Sequence, residues 1–153
     1  MPSQGPSVFL AGSIEQGRAV QWQAEAAERL LAERPDVLIA NPRRLHWDAS
    51  WPQDRDFAPF HEQVSWELDH LLGADRVLFA FDPATQSPVT LLELGLVLGR
   101  HPERTSIACP PGFWRRGNVQ ITAALFSVPM FDTLNEALAD VLLRLPAPCG
   151  PRV

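Results

Sequence analysis

"RVLFAFDPATQSPVTLLELGLVLGRHPERTSIACP", Arg76 to Pro110, decides the fold. Val77 to Phe81 is an apolar run without alternation, the pattern of a strand buried on both faces. Ser87 stands as a candidate N-cap and Pro88 at the first helical position, which predicts a helix through Gly99. "TSIACP", Thr105 to Pro110, is again short and apolar, a further strand. Strand, helix and strand in that order belong to a parallel sheet.

Working outward, the alternation repeats. "SVFLAG", Ser7 to Gly12, reads as the first strand, and "GRAVQWQAEAAERLLAERP", ending at Pro35, as a helix rich in Ala, Glu and Leu. "DVLIANP" is the second strand, stopped by Pro42. Residues 42 to 59 carry Pro42, Pro52 and Pro59 with Trp47 and Trp51 and have no helical period, so they predict a long ordered loop. "HEQVSWELDHLLGAD" is an amphipathic helix with Gly73 as its expected C-cap. "SVPMF" is a short fifth strand, and "TLNEALADVLLRL" a closing helix before a Pro-rich tail. Five strands with helical connections predict an α/β, flavodoxin-like three-layer sandwich with a parallel sheet in the order 2-1-3-4-5. Its single domain is expected to span residues 1–153, with the core at 7–145 and the tail at 146–153.

A chain of 153 residues can bury roughly 68–70% of its unfolded surface, enough for a full core. The net charge of -5 argues against wholesale binding to a nucleic-acid polymer or an anionic membrane. All 13 basic residues are Arg; the absence of Lys excludes a phosphate-loop lysine and a Schiff-base mechanism. Cys109 and Cys149 have no metal-site spacing and read as reduced thiols. Neither a signal peptide nor an apolar stretch of roughly 20 residues is visible, so a cytoplasmic protein is expected.

In this topology ligands sit beyond the carboxyl ends of the strands, near the switch point between strands 1 and 3. Gly12 and Ser13, in "GSIEQG", suit a phosphate or a sugar hydroxyl at a helix N-terminus, although the segment is not a dinucleotide fingerprint. "HEQVS" lacks the second His of a zinc helix, and no metal or other cofactor is implied. Trp47, Trp51, Phe57, Phe60 and Trp114 offer flat apolar faces on which a base can stack. Arg43 and Arg44 could pair with a phosphate or form surface salt bridges. Glu93 is the strongest signal. It is the only charge in "PVTLLELGLVLG", among Val89, Thr90, Leu96 and Val97 at helical spacing, and a carboxylate is seldom buried there without a role or a route to water. Held ionised beside a sugar, it could attack an anomeric carbon.

"VFLAGSIEQG", "NPRR…W", "FHEQVSWEL…LLGADRVLFAF", "SPVTLLELGLVLG" and "CPPGFWRRGNV" resemble, over roughly residues 8 to 120 and in the expected order, the nucleoside 2-deoxyribosyltransferase-like family. The resemblance implies exchange or hydrolysis of the N-glycosidic bond of deoxynucleosides. It puts Glu93 at the nucleophile and Asp75 at an acid that handles the base and its proton. Phe9 falls where the transferases have a Tyr that positions the nucleophile, and Ser87 where they have an Asp on the sugar. Ser87 with "GSI" is instead reminiscent of related deoxynucleoside 5'-monophosphate N-hydrolases. Asn118 matches an Asn lent by a neighbouring subunit, which implies a homodimer or higher homo-oligomer. Three functions stay open: transfer of the sugar from Glu93 to another base, hydrolysis of a nucleoside or its 5'-monophosphate, and a non-catalytic nucleotide-sensing module. The expected partner in each is a small nucleoside or nucleotide. Substrate contacts are expected from Phe9, Gly12, Ser13, Arg44, Trp47, Trp51, Ser87 and Asn118.

Overall fold

The structure, a computed structural model, describes residues 5–14, 21–43, 48 and 50–148. In chain order the elements are β1 (Ser7–Gly12), α1 (Trp22–Glu33), β2 (Leu38–Ala40), α2 (Ala58–Gly73), β3 (Arg76–Ala80), α3 (Pro88–Arg100), β4 (Thr105–Ala108), α4 (Arg116–Leu125), β5 (Met130–Phe131) and α5 (Leu134–Arg144). The five strands form one parallel sheet in the order β2-β1-β3-β4-β5, the flavodoxin-like winding. In the central pair Val8 lies opposite Arg76 and Gly12 opposite Ala80.

Strand alternation sorts the core into two layers. Phe9, Ala11, Val77 and Phe79 face α2, α3 and α4, where Leu71, Leu94, Val97, Leu98, Val119 and Ala123 close over them. Val8, Leu10, Leu78 and Ala80 face α1 and α5, under Trp22, Ala26, Leu30, Leu138 and Val141. Gly12 is fixed by this second layer. A Cβ there would stand 2.4 Å from the Ala80 carbonyl oxygen and 2.4 Å from the Trp22 ring, so no side chain fits.

Three details depart from the sequence reading. α4 was not anticipated, because Gly117, Val119, Ile121 and Thr122 are poor helix formers; the helix is held by burying Val119 and Ala123. Gly73 ends α2 as its last helical residue, with Ala74 in the cap position. Ser87 occupies the N-cap position of α3 but makes no side-chain cap bond; its backbone is left-handed, with φ 51° and ψ 51°. α5, by contrast, opens on a full capping box between Thr133 and Glu136.

Candidate functional site

Beyond the carboxyl ends of β1 and β3 lies a cluster of three hydroxyls. Ser13 follows β1, is fully buried, and its amide donates to the Ala80 carbonyl at 3.1 Å. Ser13 Oγ and Ser87 Oγ lie 2.5 Å apart. Thr85 Oγ1 sits 2.9 Å from each of them and donates to the Asp82 carbonyl oxygen at 2.9 Å. The Asp82 amide donates to Ser13 Oγ at 3.0 Å. Hydroxyls thereby tie the ends of β1 and β3 to the N-terminus of α3, whose dipole presents partial positive charge there.

Glu93 stands on α3 between its buried face, Thr90, Leu94 and Val97, and its exposed face, Val89 and Leu92. It is partly buried. Burial first, and the nearby carboxylate of Glu67 on α2 second, push the Glu93 carboxyl up to about 7. Gln63, 4% exposed and one turn before Glu67, donates from Nε2 to Glu67 Oε1 at 2.5 Å. Two half-buried carboxylates from two helices thus lie close enough for one to raise the proton affinity of the other. Such a pair splits its proton affinities, which is the arrangement that separates an acid from a base or nucleophile.

Beside Gln63, a hollow of about 240 Å³ opens at the end of β2, lined by Asn41, Pro42, Gln63 and Trp66. Arg43 reaches back from this edge, its Nη1 3.5 Å from Gln23 Oε1. Gln23 is 1% exposed, and its Nε2 finds no hydrogen-bond acceptor among the described residues. Trp51 lies on the same loop, half-buried and edge-on to Phe57, with ring centroids 5.9 Å apart.

The sequence-derived residues divide accordingly. Ser13 and Ser87 come together at the strand ends, and Glu93 lies further along α3 near Glu67. Gly12 borders them and serves packing. Phe9 is fully buried in the middle of β1, sealed under the α2–α3 layer, so it presents no face to a ligand. Asp75 is not brought to Glu93. It precedes β3, at the amino end of the sheet, where its carboxylate accepts from the Ser7 amide at 2.7 Å and the Ser7 hydroxyl at 2.9 Å. The five residues of β3 separate it from the hydroxyl cluster, roughly 16 Å of extended chain. Asn118 is exposed on the first turn of α4. Arg44 and Trp47 lie outside the described residues.

Glu67 is the candidate site residue that sequence reasoning missed. Its signal was the one that marked Glu93: a carboxylate with Val64 and Leu71 at helical spacing, on the apolar side of its helix. Cys109 is fully buried, and desolvation pushes its thiol up to about 11, so it is an inert core residue. Among the described residues no group of three or more His, Cys, Asp or Glu is placed to hold a metal, and no helix is long and apolar enough to cross a membrane.

The parallel sheet in the order β2-β1-β3-β4-β5, flanked by helices, defines the class as a flavodoxin-like α/β protein. The chain belongs to the nucleoside 2-deoxyribosyltransferase-like family, which matches over residues 5–113. That membership carries glycosyl transfer or hydrolysis in a general sense, and the matched range includes Ser13, Glu67, Ser87 and Glu93 but not Asn118. No curated protein sequence matches the chain. Among solved structures, a conserved protein from Enterococcus faecalis V583 is similar in fold, with a TM-score of 0.61 at 12% identity, covering 92% of this chain and 99% of that one.

Proposed function

We propose that this protein cleaves the N-glycosidic bond of a deoxynucleoside through Glu93 and passes the sugar to another base. The observation that carries this reading is the nearness of Glu67 to the half-buried Glu93, whose carboxyl burial and that neighbour push up to about 7. Ionised Glu93 attacks C1', the bond to the base breaks, and a glycosyl-enzyme ester forms. Glu67, held by Gln63, is the group placed to relay a proton to the departing base and to take one from the incoming base when the ester is opened. The hollow at Asn41, Gln63 and Trp66 is large enough to begin to house a base, with amides for its edge and an indole for its face. Asp75, tied to Ser7, holds β3 to β1 and takes no part in the chemistry.

The hydroxyl cluster of Ser13, Thr85 and Ser87 favours a second reading, in which the sugar carries a 5'-phosphate and water accepts it. Chromatography of a deoxynucleoside and of its 5'-monophosphate, each with and without a free acceptor base, separates the two. Product base without a new nucleoside means hydrolysis; a new nucleoside means transfer; neither means a binding module.

Self-association completes the proposal. Val89, Leu92 and Leu96 form an exposed apolar stripe on α3, and Asn118, Ile121 and Leu125 share one face of the neighbouring α4. Leu92, Ile121 and Leu125 are 74%, 74% and 77% exposed. Phe113 and Val119, from the same stretch of chain, are buried in the core and leave this face to the exposed residues. A second copy docked on the stripe would bring Asn118 to its neighbour's sugar. Light scattering on the wild type and on Leu92→Asp tests this: a dimer or larger species that dissociates in the variant is expected, and a wild-type monomer at micromolar concentration counts against it.

A further inference from the structure

Ser87 is held in a conformation its sequence does not favour. The residue before a proline prefers the extended region, and a left-handed backbone is unfavourable for any residue with a side chain. Yet Ser87, ahead of Pro88, has φ 51°, and its hydroxyl is buried against Ser13 and Thr85. A strained backbone persists only where its surroundings over-determine it.

The segment between β4 and α4 supplies a restraint. Trp114 Nε1 donates to the Gln86 carbonyl oxygen at 2.9 Å, across 28 residues of sequence. Trp114 is itself fixed from behind. Phe113 packs on Phe81 at the end of β3, with centroids 4.8 Å apart, and Arg116 Nε donates to the Cys109 carbonyl at 3.1 Å. The Arg115 guanidinium lies 4.2 Å over the indole. A rigid base thus aims one donor at the peptide immediately before the strained residue.

We propose that Trp114 is a positioning residue of the active site. Its indole N–H holds the Gln86 carbonyl, keeps Ser87 left-handed, and so seats the Ser87 hydroxyl in the cluster and fixes the first turn of α3, on which Glu93 stands. The effect on catalysis rests on the function proposed above; the hold on Ser87 does not.

Trp114→Phe keeps a ring and removes the donor. Two amides report the clamp without any activity: Leu91, which donates to the Ser87 carbonyl at 3.0 Å, and Asp82, which donates to Ser13 Oγ at 3.0 Å. Their hydrogen exchange is expected to quicken roughly tenfold in the variant, while amides in β3 and β4 keep the wild-type rate. KM for the deoxynucleoside is expected to rise roughly tenfold, with kcat within about threefold. Ser87→Gly adopts the left-handed backbone freely. In that background Trp114→Phe is expected to add less than about twofold to KM, because the conformation no longer needs holding. Unchanged exchange at Leu91 and Asp82 overturns the clamp. Effects on KM that multiply in full across the two substitutions overturn the action through Ser87. An inactive wild type overturns the proposed function alone, and the exchange comparison still decides the clamp.

Discussion

At the amino end of the sheet, Arg76 is 3% exposed and its guanidinium is largely paired: Nη1 donates to the Glu103 carbonyl at 2.6 Å, Nη2 to Ser106 Oγ at 2.7 Å, and Asp140 lies 3.7 Å away, while Nε finds no acceptor among the described residues. Ser106 Oγ donates to Asp140 at 2.7 Å, and Arg144 closes the network onto the same carboxylate at 2.9 Å. Elsewhere in the molecule the Glu93 carboxyl has a second carboxylate, Glu67, near it, and at the carboxyl end of the sheet Ser87 is strained and Gln23 keeps an amide without an acceptor among the described residues. One region pairs its buried charges and another sets like charges close together. Paired buried charge is a device for holding a fold in one register, whereas like charges set close together and strained backbone gather where chemistry is done.

Substitutions in the two regions should therefore read out on different instruments. Glu93→Gln is the sharpest case: turnover is expected to fall by roughly 10⁴-fold or more, since an amide cannot form the glycosyl-enzyme, while the fold survives. Intact-mass spectrometry with a 2-fluoro-deoxynucleoside should show a sugar adduct on Glu93 in the wild type and none in the variant. Glu67→Gln comes next, with an expected loss of roughly 10²–10⁴-fold in kcat, the usual scale of general acid–base help. A base with a better leaving ability should recover part of that loss, and full activity with every base would remove Glu67 from the mechanism.

Asp140→Asn inverts the pattern. It leaves Arg76 buried beside a neutral partner, so a stability loss of about 3 kcal/mol in urea is expected, with kcat near wild type at temperatures where the variant is folded. A collapse of kcat in the folded variant would break the division between the two regions.

The Glu93 carboxyl, raised from 4.5 to about 7, also makes stability depend on pH. Between those values the native state holds a proton that the unfolded chain has released, so stability falls as pH rises from about 4.5 to 7, by up to about 3 kcal/mol. Activity needs the ionised form and should rise through the same upper limit. Glu93→Gln should flatten the stability slope and make the protein more stable than wild type at pH 8 but not at pH 4. The smallest effect belongs to Asp75→Asn: about 1 kcal/mol from the weakened bonds to Ser7, and an unchanged kcat.

The sheet was legible because the first three strands are mainly apolar runs bounded by Gly, Pro or Asp, and because a recognisable helix joins each of the first four strands to the next. The helix over 116–125 was not, since its stability comes from packing Val119 and Ala123 rather than from its own propensities. Glu93 stood out by being alone among apolar residues. Glu67 was hidden by Glu62 and Asp69 on the same helix, whose charges made one more look ordinary. Asp75 shows how a likeness of motifs can outrun topology: a residue that opens a strand of a parallel sheet lies at the end opposite the hydroxyl cluster. Ser87 was placed correctly at the start of α3, but only the three-dimensional contact with Ser13, 74 residues away, turns its hydroxyl from helix cap into cluster member.

The contact between Ser7 and Asp75, 68 residues apart, has a consequence for how the chain is made. β1 is the centre of the sheet's left half, yet its longest partner, β3, is synthesised only after that interval. At about 5–20 residues per second, the ribosome needs roughly 3–14 s to deliver it. Until then "VFLAG" has only the three residues of β2 to pair with, and both its faces are apolar. A nascent chain in that interval is a sticky strand in search of an edge, so yield during expression should depend on translation speed and on holding chaperones more than on the stability of the finished fold.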